Sequence, residues 1–220
     1  MRVALILAAL ALAASPSPAG EAAGRILTDV PAAPDPGARY VFYVHGRILE
    51  LQGRQAKSPD FGPYQYDAIL QALAGEGFTV ISEVRKGDAG APFVERLAGQ
   101  VRRLLAAGVP ARQVTLVGAS KGGYLTLAAA AELGEPDVSY VVLAGCGPAS
   151  VALAPRLRGR ILSIYDSKDR YSPSCGDTFA AAKSLGAHRE IVLDLGLDHG
   201  LLFRPRPEWL VPARDWARWK

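Results

Sequence analysis

The chain has 220 residues, with 25 Lys+Arg against 21 Asp+Glu for a formal charge of +4, and half of its residues are apolar. This excludes a disordered or collagen-like chain, and 23 Gly with 16 Pro is ordinary for a loop-punctuated globular protein. The sequence pI is near 9.2, yet the basic residues are scattered singly and in pairs, so nucleic acid is not an expected partner.

In chain order, residues 1–19 read as a secretory signal peptide: one Arg, about a dozen apolar residues, then small residues. The apolar run falls short of the about 20 residues that a membrane crossing requires, so the expected form is exported, periplasmic or secreted, without a membrane span once cleaved. Residues 20–38, rich in Pro and Ala, are expected as a mobile N-terminal arm with an edge-strand candidate in RILTDV. Residues 39–220 are expected as one domain.

Within that domain, short β-branched or aromatic runs alternate with stretches that are apolar every three or four positions, the pattern of βα units. The strand candidates are 40–44, 78–82, 114–117, 140–144, 161–165 and 190–195. Their nearly continuous apolarity predicts a mostly parallel sheet covered by helices on both faces, a three-layer α/β/α sandwich of about six to seven strands. Helices are predicted from Tyr66 to Leu73, from Phe93 to Leu104, over 121–133 with Gly134 as the stop, over 176–185, and over 207–219. Trp209, Trp216 and Trp219 in the last of these read as packing rather than ligand-binding residues. Cys146 and Cys175 are an even count in an exported chain, so they can pair or remain two buried thiols.

Val114 to Gly123 combines an apolar strand, the pentapeptide Gly118-Ala-Ser120-Lys-Gly122, and an amphipathic helix. A serine on so sharp a turn needs neighbours without bulk, and Gly118 and Gly122 supply them. The helix start then places the Lys121 backbone N–H and the positive end of the helix dipole where an oxyanion would develop. A phosphate-binding loop is excluded because no G-x-x-x-x-G-K-[ST] occurs.

From about Arg39 to Lys220 the chain resembles the α/β-hydrolase superfamily, serine-type hydrolases whose nucleophile follows the fifth strand and precedes an acid and then a histidine. The resemblance implies Ser120 as nucleophile and, of the three histidines, His199 as base. His45 precedes Ser120, and His188 is expected just before a strand, at the wrong sheet edge. Asp169 is the implied acid, matching the last position of Gly-x-x-Asp after ILSIY, with Asp166 as the alternative. Asp198 is expected to be solvated. His45-Gly46-Arg47 resembles the family's H-G oxyanion loop, which implies the backbone N–H of Arg47 as the second oxyanion donor beside that of Lys121. Arg47 and Ile48 stand where related loops carry glycines.

Only about sixteen residues separate the strands at 140–144 and 161–165, which leaves no room for a cap domain. The expected cleft is bordered by 47–65, 83–92, 146–156 and 170–175, with Arg47, Arg54, Lys57, Phe61, Tyr64 and Tyr66 on its rim and a Glu83–Arg85 ion pair nearby. A disulfide between Cys146 and Cys175 would tie two of these loops. The implied activity is carboxylic ester hydrolysis on a small-molecule or polymeric substrate, with no metal or organic cofactor; amide cleavage and acyl transfer use the same machinery. A non-catalytic binding protein on the same scaffold is the second class. A nucleotide-dependent enzyme is the third, resting on Leu143 to Ser150, but Pro148 and Ser150 break the G-x-G-x-x-G pattern. The sequence does not indicate an oligomeric state.

Overall fold

Successive strand side chains point to opposite faces, and here that alternation divides the core in two. The computed structural model describes residues 24–87 and 90–219, so the leader predicted over 1–19 lies outside the described residues. The main sheet contains β1 (Ile26–Leu27), β2 (Tyr40–Val44), β5 (Thr79–Ile81), β6 (Val114–Ala119), β7 (Ser139–Leu143), β8 (Arg160–Asp166) and β9 (Ala187–Leu193). Its order is β1-β5-β2-β6-β7-β8-β9, and every pair is parallel. A separate antiparallel pair joins β3 (Lys57–Ser58) to β4 (Gly62–Pro63).

On one face, Val41, Tyr43, Val117, Val141 and Leu162 pack with α2 (Tyr66–Gly75) and α7 (Pro207–Ala217). On the other, Tyr40, Phe42, Leu116, Tyr140 and Ile161 pack with α3 (Ala91–Ala106), α4 (Lys121–Leu133) and α6 (Gly176–Ala181). This is the expected three-layer α/β/α sandwich. A fully buried large apolar side chain stabilises the fold by about 1.5–3 kcal/mol. All five β2 side chains are buried, so both helical layers are required.

Local signals set several boundaries. The helix α4 has the predicted limits, and Gly134 ends it in the left-handed conformation at φ 66°, its N–H bonded to the Ala130 carbonyl at 3.1 Å. The described part of the arm expected over 20–38 makes contacts with the domain. Ile26–Leu27 forms the edge strand, and Asp29 accepts from Gln100 Nε2 at 2.9 Å and from Arg103.

The structure corrects other expectations. Within 47–65, expected as a loop, lies α1 (Arg47–Gln52). The helix expected over 176–185 ends at Ala181, and β9 begins three residues earlier than predicted, so His188 is a strand residue paired with Ile161. Cys146 and Cys175 form a disulfide with Cα atoms 5.2 Å apart. The segment between β7 and β8 holds only α5 (Pro148–Val151) and a 3-10 turn at Ala154–Arg156. Trp209 is buried in the core, whereas Trp216 and Trp219 stack on the Arg160 guanidinium at 4.4 and 4.3 Å.

Candidate active site

In a parallel sheet all loops that follow strands open at the carboxyl edge, where ligand sites of open α/β sheets form. Ser120 follows β6, Asp169 follows β8, and His199 lies in the 3-10 turn Asp198–Phe203 after β9. The sheet therefore brings the loops of all three predicted residues to one edge. Ser120 follows the fourth main-sheet strand in chain order rather than the fifth.

Ser120 has φ 56° and ψ −124°, a conformation costly for a residue with a Cβ, and it is half-buried. The packing around it explains its glycines. A Cβ on Gly118 would lie 2.2 Å from the Gly122 carbonyl oxygen, and one on Gly122 would lie 1.9 Å from the Val44 carbonyl oxygen. Strand and helix can approach this closely only without side chains at both positions.

Asp169 Oδ2 lies 2.8 Å from His199 Nδ1. With a carboxylate there, Nδ1–H is the donor and Nε2 keeps its lone pair. The Asp169 side chain is fully buried, and its Oδ1 accepts the backbone N–H groups of Tyr171 at 2.8 Å and Ser172 at 3.0 Å. Among the described residues no hydrogen bond joins the Ser120 hydroxyl to His199. Such contacts often tighten only when substrate binds.

Asp166 occupies a different place. It is fully buried and accepts from the backbone N–H groups of Lys168 at 2.9 Å and of Leu195 and Leu197 at 3.1 Å each. It thus ties the loop carrying Asp169 to the loop carrying His199. Asp198, expected as solvated, instead accepts from Arg170 Nε at 2.6 Å and from the His199 backbone N–H at 2.7 Å. His188 is exposed and packs against Phe179, remote from this edge.

Beside Ser120 runs the His45–Arg47 loop, where a Cβ on Gly46 would lie 3.4 Å from Ser120 Cβ. Arg47 and Lys121 each open a helix, positions whose backbone N–H groups point outward along the axis. His45 is fully buried; its Nε2 accepts the Arg85 backbone N–H at 2.9 Å, so Nδ1–H donates to the Gly46 carbonyl at 2.8 Å. Burial first, and the Arg85 charge second, push its pKa down to about 3, which keeps the ring neutral.

The expected Glu83–Arg85 pair is not formed. The buried Arg85 pairs with Glu50 of α1 at 3.0 Å, Glu50 also meets Lys121 Nζ at 2.8 Å, and Glu83 pairs with Arg96 on the surface. Sequence reasoning missed Glu50 because its partners lie 35 and 71 residues away. The expected rim also contracts: Tyr64 and Tyr66 are buried, bonded to Tyr43 at 2.5 Å and Ser82 at 2.7 Å, and Arg54 pairs with Asp67. Phe61 is the predicted aromatic that remains near His199, through Tyr171. Among the described residues no group of three His, Cys, Asp or Glu is arranged to hold a metal ion.

No family model matches the chain, and no curated protein matches it. Solved structures do match. The chain is similar to the esterase domain of a Rhodothermus marinus protein, with 19% identity over 87% of this chain and 89% of that one, at a TM-score of 0.54. It is similar to a dienelactone hydrolase from Anabaena variabilis, with 18% identity over 82% and 86% at 0.55. It is also similar to SOBER1 of Arabidopsis thaliana, with 15% identity over 83% and 98% at 0.57. At these identities the likeness shows a shared fold.

Proposed function

We propose that this chain, which has the α/β-hydrolase fold, is a serine hydrolase that cleaves carboxylic esters through an acyl-enzyme. Ser120 attacks the carbonyl, His199 Nε2 takes its proton and returns it to the leaving alcohol, and Asp169 holds the imidazole in the required tautomer. The backbone N–H groups of Arg47 and Lys121 stabilise the oxyanion, a contribution of about 3 kcal/mol per donor in sites of this kind. No metal or organic cofactor takes part in this scheme.

The observation that carries the proposal is a serine held at φ 56° on the sheet edge that also bears a carboxylate–imidazole pair at 2.8 Å. The esterase and dienelactone hydrolase neighbours support ester cleavage. We further place the protein outside the cytoplasm, supported by the leader-like residues 1–19 and by the Cys146–Cys175 disulfide.

Steady-state hydrolysis of acetate to decanoate esters tests the proposal. Wild type is expected to turn over at least one member, and Ser120→Ala and His199→Ala are expected to lose about 10³-fold or more in kcat. Undiminished turnover by Ser120→Ala would overturn it.

A further inference from the structure

We propose that Tyr171 and Phe61 form the subsite for the departing alcohol and select aryl esters, an inference that rests on the assignment of Ser120 and His199 above. The His199 Nδ1–H is committed to Asp169, so only Nε2 can return a proton to the leaving oxygen. The alcohol portion of the ester must therefore lie against the imidazole.

The Tyr171 ring stands there. Its centroid is 5.2 Å from that of His199, with the planes tilted by 55°. The residue is 61% exposed, which leaves the ring accessible to a ligand. Its position is nonetheless set, because its backbone N–H bonds to Asp169 Oδ1 at 2.8 Å. The turn that presents the acid thus also presents the ring.

Phe61, from the turn between β3 and β4, meets Tyr171 nearly edge-on, at 6.4 Å and 81°, and packs on Phe203 at 5.3 Å. Gly200 next to His199 allows this approach, since a Cβ there would lie 2.9 Å from the Phe61 ring. Two aromatic rings beside the general acid offer an aryl group edge-to-face and offset contacts, whereas an alkyl group gains only its buried area. Arg170, 5.8 Å from the Tyr171 ring, is engaged by Asp198.

The test compares kcat/KM for phenyl acetate and for the acetate of a fluorinated alkyl alcohol of similar acidity, in wild type, Tyr171→Ala and Tyr171→Phe, with melting temperatures to confirm folding. The aryl-to-alkyl ratio is expected to fall about 3- to 10-fold in Tyr171→Ala and to be kept in Tyr171→Phe. Phenol is expected to protect Ser120 from a fluorophosphonate in wild type more than in Tyr171→Ala, a comparison that does not require turnover of either acetate. An unchanged ratio and equal protection in active Tyr171→Ala would overturn the aryl subsite while leaving the serine mechanism standing. Failure of Ser120 to react with the fluorophosphonate, with neither ester turned over, would overturn both.

Discussion

Asp166, the last residue of β8, and Asp169 in the loop that follows it show how two neighbouring carboxylates take distinct partners. Asp169 touches His199, so Asp169→Asn is expected to lower kcat by about 10⁴-fold while leaving the melting temperature nearly unchanged. Asp166 accepts three backbone N–H groups from two loops, so Asp166→Ala is expected to cost about 3 kcal/mol or more in chemical denaturation. His45 makes a pH prediction. Its folded pKa of about 3 lies below the ordinary 6.5, so the unfolded chain binds the extra proton between those values and stability falls as pH drops through that window. Denaturation at pH 7 and pH 5 is expected to show about 2 kcal/mol more loss in wild type than in His45→Gln. Parallel losses would show that this ring does not report acid stability. The Ser120 turn was legible in the sequence because its signal is local: a strand, two glycines and a helix start. The Arg85–Glu50–Lys121 cluster was not, because a charged residue reads as solvated until folding supplies its distant partners.

Among the elements, α4 was legible to the residue because its N-terminus is the elbow and its C-terminus a glycine. The six-residue α1 was missed because it is too short to show a helical repeat. The start of β9 was misplaced because Ala187, His188 and Arg189, at its edge-strand beginning, lack the apolar run that marks buried strands. The contact between β2 and α4 predicts a steep response to a single methyl group. Gly122→Ala would set a Cβ 1.9 Å from the Val44 carbonyl oxygen, so loss of soluble folded protein, or several kcal/mol of destabilisation, is expected from denaturant melts. The disulfide closes a separation of 29 residues and joins the loops after β7 and around α6. Replacing both cysteines by Ala is expected to lower stability by about 3–4 kcal/mol in the chain-entropy account. A change below about 1 kcal/mol would show that the native contacts, including Ser172 Oγ to the Cys146 carbonyl at 3.0 Å, already hold these loops.

At the scale of the molecule, a parallel sheet with seven strands gathers residues separated by nearly eighty positions to one edge, which is how Ser120, Asp169 and His199 come to lie on loops that open on the same side. The sheet and its two helical layers were legible because buried strands and amphipathic helices carry distinct periods. The composition of the rim was not, because Tyr64 and Tyr66 could be told from Phe61 only once Tyr43 and Ser82 were placed beside them. Export predicts that protein recovered outside the cytoplasm lacks residues 1–19 by intact mass, and recovery of the full-length chain would contradict cleavage. The central claim is that Ser120 is an activated nucleophile. Its most direct test is labelling of purified protein by a fluorophosphonate at about pH 8, with the modified peptide mapped by mass spectrometry. Stoichiometric modification of Ser120, absent in Ser120→Ala and strongly slowed in His199→Ala, is the expected result; no modification of wild type, or equal modification of the His199→Ala variant, would contradict it.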